Sequence, residues 1–523
     1  MKQATLTSLN DSRMLDRLLQ VESTLKNLLK FLATHDVPAL PRLFRNWLDQ
    51  NWSLEKLFEM TQLSVEGKYQ ARNFSEMELD IATVVYELGG GATLYALQKS
   101  PFAFPSRNTL AKRRREYQLR ISIGEPRMQD ILHNIEVMFK TTQPEHRRCG
   151  ITLSMDEIAS DGRLCYLTAT DEIAGVCEHA KRDSVKMGTD LEIVRAVREA
   201  IRDGKIHVGQ EVFVAAFARN DDVDYGARPV LLMPTCKQGS FRDSALLIEK
   251  LRQAWEMSLY GEALHGSIWS IASDGDPKRR PALYLHCMAH KLTAADALHQ
   301  HLGNLPGLNL FTGSGGMTQD LDVKHDLKRI CKTICAREGI LINGTTINKS
   351  LLGSWLERLS DVDWSENSIY ALLNPASSIV EAIHALLDPK DPQDVPRAIK
   401  LLRVTADLRG IDNSDLNPSE YSTHRAFSLL GELLEALVEP FINPEFTLSQ
   451  QITSLVKFAH IACALFLKHG GAFLPQHLYG DLQCMVRTAI FRVAHTKLLD
   501  PNSKSFCVCL VMMYLRCYLG GYE

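Results

Sequence analysis

The sequence predicts an α/β layer flanked by helical regions, and three observations lead to this prediction. From Cys149 onward the chain has apolar alternating runs, which predict strands, and the first of them ends in acidic residues. An amphipathic helical stretch over 241–261 then precedes a further buried run, SIWSIASDGD, and strands followed by a helix and another strand favour an α/β layer. After about residue 322, nearly every segment repeats its apolar residues at helical spacing.

Composition narrows the class of protein. The chain has 523 residues, which is the length of several domains. Its formal net charge is −3, so any surface that binds nucleic acid must be a local basic patch. Its 12 cysteines include no C-x-x-C pair, which argues against zinc fingers and a secreted disulfide framework and favours a reducing intracellular compartment. The longest apolar run, 506–515, is shorter than the about 20 residues that span a bilayer, so no membrane partner is expected.

The first segment, 1–50, is predicted to be helical. An apolar seam at alternating spacings of four and three residues indicates a heptad pattern. Its members are Met14, Leu18, Val21, Leu25, Leu28 and Leu32. A short coiled coil over 14–32 would join two copies of the chain into a homodimer. The same pattern also fits an amphipathic helix packed on its own domain, and the sequence leaves both interpretations open.

Residues 51–148 are predicted to hold a helix-turn-helix-like unit that binds DNA. A helix near 75–89 meets the glycines at 89–91, a short helix follows, and Ser106 can cap a third helix. That third helix is rich in cations, which are Arg107, Lys112, Arg113, Arg114, Arg115 and Arg120. Such a cluster binds phosphates with salt-dependent affinity. A solvated basic helix face is the alternative interpretation.

Two aspartates within 149–321 stand where apolar strands end, Asp156 in SMDEIAS and Asp274 in SDGDPKRR. Adjacent strands would bring these carboxylates together, and paired carboxylates hold the Mg²⁺ or Mn²⁺ ions that assist phosphodiester cleavage. Three cations that follow Asp274 are expected to meet the DNA backbone, namely Lys278, Arg279 and Arg280. The alternative is that each aspartate only closes a turn or caps a helix.

Six segments occur in an order that resembles the P-element and THAP-type DNA transposases, and more closely transposon-derived fungal proteins. They are FPSRNTL, SMDEIAS, SIWSIASDGD, LPGLNLFTG, LDVKHDLKR and DPQDVPRAIKLL. The resemblance implies a nuclear protein with a ribonuclease-H-like core at 149–321 and a large all-helical insertion at 322–500. It also implies that Asp156 and Asp274 are catalytic metal ligands in DNA cleavage and strand transfer.

In P-element relatives the insertion binds GTP, and its first helix carries the pattern Asp-x-x-His-x-x-Lys. This chain keeps that spacing as Asp322, His325 and Lys328, so the resemblance implies a guanine-nucleotide site there. The family usually continues with Arg-Asn, and this chain keeps Arg329 but departs from the family at the next position, where Ile330 stands in place of asparagine. Packing or helix-surface roles for these residues are the alternative.

The family's third carboxylate follows the insertion, in a segment resembling Asp-Asp-x-Leu-Glu-x-Leu-Phe-Gly-Arg. The tail, 501–523, instead has no acid before Glu523. Codons for 511–521 that are read one nucleotide earlier permit Asp-Asp-Val-Leu-Glu-Val-Leu-Phe-Gly-Arg. We therefore expect a frameshift or a mispredicted splice junction before residue 511, and a truncated protein without cleavage activity, because a third carboxylate completes such metal sites.

Three functional interpretations follow from these features. The first is a transposase-derived protein that has lost catalysis. The alternative is a non-catalytic protein that binds DNA or oligomerises on the same scaffold, and confirmation of this C-terminus at the level of the transcript would favour it. A nucleotide-binding protein is the weaker alternative, and nucleotide-dependent thermal stabilisation would favour it.

Overall fold

The structure is a computed structural model. It describes residues 2–501 except 38, 70–72, 101–102, 117, 141–147, 169, 182–184, 188–190, 222–225, 360–378 and 389–393. The tail predicted to be aberrant therefore lies, from residue 502 on, outside the described residues. The chain divides into two compact units, Met1–Gln118 and Leu119–Glu523. It is a mixed α/β protein, as the sequence predicts.

The first unit is helical throughout its described residues. Its helices are α1 (Lys2–Thr34), α2 (Leu40–Asp49), α3 (Leu54–Val65), α4 (Glu76–Lys99) and α5 (Arg107–Glu116). One small apolar core contains Leu43 and Leu57, and a second, with Ala82 and Leu110, joins α4 to α5. Gly90 interrupts α4 with a φ of 72°, which glycine adopts without strain, so α4 is two helical segments joined at the predicted glycine break.

The predicted N-terminal seam lies along α1, and its two halves differ in burial. Met14 and Leu18 are exposed, with 64% and 58% of their surface accessible. Leu28 is only 3% accessible and packs in the core that α1 shares with α2 and α3. The last two members of the seam, Leu28 and Leu32, therefore pack within the chain's own domain, whereas the exposed members from Met14 to Leu25 leave the homodimer as a prediction.

The second unit is built on a five-stranded mixed sheet. Its strands are β1 (Ile151–Ala159), β4 (Glu211–Arg219), β5 (Arg228–Thr235), β6 (Ile268–Ser273) and β9 (Thr318–Leu321). Their order is β5-β4-β1-β6-β9. The neighbours β5, β4 and β1 are antiparallel, while β6 runs parallel to β1 and β9 parallel to β6. The three parallel strands therefore end at one edge of the sheet.

Helices cover both faces of this sheet. The helices α6 (Met128–Phe139), α8 (Phe241–Met257) and α10 (Arg279–Cys287) share one apolar core with it. Leu153 points into that core, and side chains alternate along a strand, so its neighbour Thr152 points to the opposite face. There Thr152 meets Arg492 of the helix Gln476–Leu499, which packs along β9.

Two smaller structures lie in the connections between these strands. Between β1 and β4 the chain forms a small lobe with its own core, here called the hairpin lobe, from β2 (Cys165–Leu167), β3 (Glu172–Ala174) and α7 (Glu192–Arg202). The short helix α9 (Glu262–His265) lies just before β6. Between β6 and β9, after α10, the chain forms the short elements β7 (His290–Lys291), α11 (His299–Leu302) and β8 (Phe311–Thr312).

A large helical region follows β9. Its helices are α12 (Val323–Ile334), α13 (Lys349–Leu356), α14 (Ile379–Leu387), α15 (Val395–Asp407), α16 (Pro418–Ile442), α17 (Leu448–His469) and α18 (Gln476–Leu499). One continuous apolar core joins them. The prediction of an all-helical 322–500 is corrected at one point, where the short hairpin β10 (Ile340–Ile342) and β11 (Thr345–Ile347) interrupts the helices. The last helix of the region, α18, returns to pack on the sheet.

Within the described residues, one helical stretch, Leu448–Ala472, is long and apolar enough to cross a membrane by length and composition alone. Its inner face packs through Leu455 and Phe458 into the core of the helical region.

The predicted boundary between the DNA-binding region and the core, at 148/149, is corrected to 118/119. The reason is that α6 packs on β5 and α8 and so belongs to the sheet unit. The amide of Asn134 in α6 bonds both the backbone N–H and the backbone carbonyl of Arg120, at 2.7 and 2.9 Å, and also the carbonyl of Val230 in β5. Residues from Leu119 onward are therefore part of the second unit.

A buried polar network ties α18 to the sheet. The Nη2 atom of Arg492 lies 2.6 Å from Oδ2 of Asp320 and 2.7 Å from Oγ of Ser270. It also donates to Oγ1 of Thr152 at 3.1 Å. Arg492 and Asp320 are only 6% and 7% accessible, so this charge pair lies almost wholly out of water. Burial raises the pKa of Asp320, although Arg492 partly opposes the shift.

His495 of α18 couples the stability of the second unit to pH. Its ring stacks on Trp269 with 4.7 Å between centroids, and its Nε2 lies 3.2 Å from the carbonyl of Gly316. Burial lowers the pKa of His495 from 6.5 to about 4. As the pH falls below 6.5, the unfolded chain binds a proton that the folded chain does not accept until about pH 4. Stability is therefore undiminished above pH 6.5 and falls by roughly 3 kcal/mol across that interval.

Urea unfolding at about pH 7.5 and about pH 4.5 measures this loss. The variant His495→Phe keeps an aromatic ring beside Trp269 but does not titrate, so its stability should depend less on pH than that of the wild type by roughly 3 kcal/mol. His301→Gln, on an exposed histidine, is the control. Equal pH dependence in wild type and His495→Phe would contradict the prediction.

Candidate carboxylate site

The strand ends bring the two predicted aspartates together. In the parallel pairing of β1 with β6, Met155 lies opposite Ser273, so the next residues along each strand, Asp156 and Asp274, are neighbours. One carboxylate oxygen each of Asp156, Asp274 and Glu157 lies within 4.8 Å of the others. We call these three acids the carboxylate cluster. It stands at the edge where the parallel strands end.

Glu157 is the member of the cluster that the sequence analysis did not assign. Its side chain is 16% accessible and its pKa is raised by burial, an effect that the nearby charge of Arg279 only partly reverses. Asp156 is exposed, and its Oδ1 accepts a hydrogen bond from the backbone N–H of Glu157 at 2.8 Å. The cluster therefore combines an exposed carboxylate with a more buried one.

The structure corrects the prediction that Arg279 meets the DNA backbone. Its side chain is 5% accessible and forms an ion pair with Glu157. Its Nη1 lies 3.2 Å from Oδ1 of Asp274, and it also donates to the carbonyl of Met155 at 3.2 Å and to Oγ of Ser273 at 3.3 Å. The guanidinium is thus an internal cation of the carboxylate cluster and does not lie at the surface, where a phosphate would bind.

Arg280 is corrected for a similar reason. Its Nε lies 3.0 Å from Oδ1 of Asp481 in α18, and its Nη2 lies 2.5 Å from Oδ2. Asp481 is buried, and Arg329 of α12 approaches the same Oδ2 at 3.1 Å while donating to the backbone carbonyl of Asp274 at 2.8 Å. These contacts fasten α10, α12 and α18 to one another behind the carboxylate cluster. Arg280 therefore has a structural role.

Lys278 remains at the surface beside the cluster. Its ammonium donates to the backbone carbonyl of Lys237, and its backbone N–H donates to Oδ1 of Asp276 at 2.8 Å. Asp276 also accepts from the backbone N–H of Arg279 at 3.2 Å. Asp276 is therefore a turn residue at the start of α10, where it fixes the direction in which Arg279 enters the cluster.

Asp322 lies at the same sheet edge but acts as a helix cap. Its backbone N–H donates to the carbonyl of Ser273 at 3.2 Å, next to Asp274. Its carboxylate accepts from the N–H of Lys324 and lies 2.8 Å from Nδ1 of His325. Burial opposes ionisation of Asp322, but His325 and the Lys324 amide outweigh it and hold the pKa below its ordinary value. Lys328, the third residue of the predicted nucleotide pattern, is half-buried farther along α12.

The predicted DNA-binding cations that lie on α5 divide into three groups. Arg107 and Lys112 are exposed on α5. Arg113 is tied to α4 by ion pairs to Glu76 at 2.7 Å and Asp80 at 2.8 Å, so its guanidinium holds the two helices together. The side chains of Arg114 and Arg115 lie outside the described residues, although their backbone is part of α5.

Arg120 does not belong to the basic helix, because α5 ends at Glu116. It lies in the second unit, where its Nη1 is 3.7 Å from Oδ1 of Asp130. The prediction that Arg120 shares a DNA-binding face with Arg107 and Lys112 is therefore corrected. The basic helix is about one turn shorter than the sequence suggested, since residues 118–120 are not helical and the backbone N–H of Arg120 donates to Asn134 of α6.

Comparisons with known proteins add no further information about this site. No protein-family model matches the chain, and neither a curated protein nor a solved structure matches it. The interpretation of the carboxylate cluster therefore depends on its own geometry and chemistry.

Proposed function

We propose that the second unit has a ribonuclease-H-like fold and that the chain derives from a three-carboxylate DNA transposase. The observation that carries the proposal is the carboxylate cluster on a sheet of this topology. Numbered along the chain, the five strands have the order 3-2-1-4-5, with the first three antiparallel and the last two parallel. This is the arrangement expected of a ribonuclease-H-like core, with acids on its first strand and directly after its fourth.

The donor set fits a hard divalent cation. All three ligand groups are carboxylates, which suit Mg²⁺ or Mn²⁺ rather than a thiophilic metal. Asp156 and Asp274 would hold the ion, because Glu157 is already neutralised by Arg279. A bound Mg²⁺ or Mn²⁺ would polarise a phosphodiester and stabilise the charge that develops on its oxygens. The chain's own contribution is to hold the two aspartates in register on adjacent parallel strands.

A third free carboxylate is expected of an active transposase. Among the described residues, the helix α18 offers Asp481 near this edge, but Arg280 and Arg329 engage both of its oxygens. Glu157 is likewise engaged by Arg279. We therefore propose that the chain binds divalent metal ions weakly and does not cleave DNA, and that the frame-shifted segment Asp-Asp-Val-Leu-Glu-Val-Leu-Phe-Gly-Arg would supply the ligand needed for cleavage.

Calorimetric titration with Mn²⁺ tests the metal site, with a DNA nicking assay alongside. We expect Asp156→Asn and Asp274→Asn each to lower Mn²⁺ affinity by roughly tenfold or more, since each removes a charged ligand. Asp161→Asn, on an exposed acid just beyond β1, is the matched control and should bind as the wild type does. Unchanged Mn²⁺ binding in both aspartate variants would overturn the proposal. Nicking should appear only in a chain that carries the frame-shifted segment.

DNA binding without catalysis is the second candidate, and the exposed cations of α5 favour it. We expect Arg107→Ala and Lys112→Ala each to weaken binding to duplex DNA uniformly across sequences. Each lost phosphate contact should reduce the slope of log affinity against log salt by about 1. Fluorescence anisotropy at several salt concentrations measures this slope, and Lys26→Ala on α1 is the control. Unaltered slopes for both α5 variants would contradict a DNA-binding role for this helix.

Three further predictions concern the location of the protein, its oligomeric state and a nucleotide site. A nuclear location and a homodimer through the exposed part of α1 stay parts of the proposal. A GTP site at Asp322, His325 and Lys328 gains little support, because the Asp322 carboxylate already caps α12 and contacts His325. Thermal unfolding with and without GTP tests it, since a ligand that binds only the folded state raises the melting temperature.

A further inference from the structure

A second group of metal-ligating side chains lies away from the carboxylate cluster, where the hairpin lobe joins the sheet. It consists of Cys177, just after β3, His207, shortly before β4, and Cys236, directly after β5. One ligand atom from each lies within 4.8 Å of the other two. Each of these residues follows the one before it by about thirty positions, which matches none of the usual zinc-ligand spacings. Tertiary structure alone brings them together.

Backbone hydrogen bonds hold the three segments in place. The N–H of Cys177 donates to the carbonyl of His207 at 2.9 Å, so the first two ligands come from directly paired chain segments. The N–H of Gly209 donates to the carbonyl of Gly175 at 2.9 Å, which extends this pairing. The N–H of Gln210 donates to the carbonyl of Thr235 at 3.2 Å and joins the segment that ends in Cys236. The ligand positions are therefore set by main-chain contacts on both sides.

The three side chains face one another and are partly or fully buried. Cys177 is fully buried, and Cys236 is half-buried. The Nδ1 atom of His207 is buried and has no hydrogen-bond partner among the described residues. A buried ring nitrogen without a partner is unfavourable, because it loses its contacts with water and gains none in return. A metal ion bonded to this nitrogen would remove that deficit.

We propose that Cys177, His207 and Cys236 bind a structural zinc ion. Two thiolates and an imidazole are a donor set that Zn²⁺ prefers, and cysteine–histidine sites with four ligands are typical of structural zinc. With Zn–S bonds of about 2.3 Å and Zn–N bonds of about 2.0 Å, tetrahedral ligand atoms stand roughly 3.5–4 Å apart. The three ligand atoms lie within 4.8 Å of one another, which is close to the separation that a bound zinc ion requires.

His179 is the fourth ligand. Its ring, the Glu178 carboxylate and the Cys236 thiol form an adjoining group with ligand atoms within 4.8 Å of one another. Glu178 already accepts hydrogen bonds from Oγ1 of Thr235 at 2.9 Å and from the N–H of Cys236 at 3.2 Å, so it orients the segment instead of binding the ion. The side chain of His179 is 40% accessible and lies at the open side of the site, 3.8 Å from Glu178.

Such an ion would fasten the hairpin lobe to the edge of the sheet. The lobe has only a small core of its own, which includes Val176 and Val197. Cys177 and His179 would hold the ion from the lobe, while His207 and Cys236 would hold it from the segments next to β4 and β5. The ion would therefore restrain the lobe where the chain leaves and rejoins the sheet. The zinc site is therefore independent of the proposed chemistry at Asp156 and Asp274.

The test uses the full chain purified under reducing conditions without added chelator. Elemental analysis is expected to find roughly one zinc ion per chain. Titration with Co²⁺ should then give the thiolate charge-transfer and ligand-field bands of a tetrahedral site. Cys177→Ser and Cys236→Ser should each lose the ion and the bands, whereas His179→Gln should bind less tightly. Cys165→Ser, an exposed cysteine in the same lobe, is the matched control and should bind as the wild type does.

Several outcomes would overturn the proposal. One is zinc content that is unchanged in both cysteine variants, and another is wild-type protein without zinc after incubation with a stoichiometric amount of Zn²⁺. A disulfide between Cys177 and Cys236 that forms in the presence of zinc, detected by mass spectrometry, would also overturn it. If a serine variant does not fold, Cys236→His keeps a zinc ligand at that position and should restore both folding and binding. Unchanged Co²⁺ affinity in His179→Gln would remove His179 from the site.

Discussion

Replacing Arg279 with glutamine is expected to raise the Mn²⁺ affinity of the carboxylate cluster by roughly tenfold or more. In the wild type, the guanidinium neutralises Glu157 and lies 3.2 Å from Oδ1 of Asp274, where it competes with any divalent ion. Removing a unit charge about 4 Å from a bound divalent cation relieves up to about 8 kcal/mol of repulsion in a partly solvated site, since the ion carries two charges. The expected tenfold change, about 1.4 kcal/mol, is a modest part of that.

The same variant should be less stable without metal. Glutamine leaves the three carboxylates close together with no internal cation, and like charges at this distance repel one another. Mn²⁺ should therefore raise the melting temperature of Arg279→Gln more than that of the wild type. Calorimetry and thermal unfolding measure both effects.

Lys278→Gln is the matched control, because it removes the same charge one residue away without touching the cluster. Equal Mn²⁺ affinity in wild type and Arg279→Gln would show that the arginine does not compete with the ion. Weaker binding would show that its main effect is to position Glu157 and Asp274. Either result would contradict the expectation, and each would do so for a different physical reason.

Replacing Arg492 with leucine is expected to lower the free energy of unfolding of the second unit by roughly 3–5 kcal/mol. Asp320 would then be left as a buried carboxylate without its partner, and Ser270 and Thr152 would lose a shared donor. The free energy of unfolding falls because the Asp320 carboxylate would be buried without a counter-charge. The size of the fall does not measure the net stabilisation that the ion pair contributes. Urea unfolding followed by tryptophan fluorescence measures it, since Trp255 and Trp269 are buried in this unit.

The double variant Arg492→Leu/Asp320→Leu separates these two contributions. Replacing both charges with apolar side chains removes the uncompensated carboxylate, so the double variant should recover most of the lost stability. Arg403→Leu, on an arginine whose side chain is 60% accessible, is the control and should change stability by less than about 1 kcal/mol. A double variant as unstable as Arg492→Leu alone would contradict this account.

The local features of the chain follow closely from its sequence. The apolar runs from Cys149 onward are strands, and the regions of helical periodicity after residue 322 are helices apart from the hairpin β10–β11. Gly90 interrupts α4 within the predicted glycine break. These features depend on side-chain periodicity and on the backbone freedom of glycine, and both can be read from neighbouring residues.

The position of the two aspartates was also accessible from sequence, but the role of their neighbours was not. Asp156 and Asp274 stand where strands end, and such residues gather at one sheet edge whenever the strands are parallel neighbours. Arg279 follows Asp274 by five positions and looked like a surface cation. Its direction is set by α10, which begins directly after the turn at Asp276 and directs the guanidinium between Asp274 and Glu157.

The longest-range features were decided by tertiary structure alone. Some residues that contact one another are far apart along the chain, and no local sequence pattern marks them. Examples are the ion pair of Arg280 with Asp481 and the group of Cys177, His207 and Cys236. They meet because α18 returns to the sheet and because the hairpin lobe joins it beside the end of β5. Sequence determined which side chains carry charge or can bind a metal. Packing determined which of them face one another, because contacts between distant segments depend on strand order and helix placement, which periodicity does not encode.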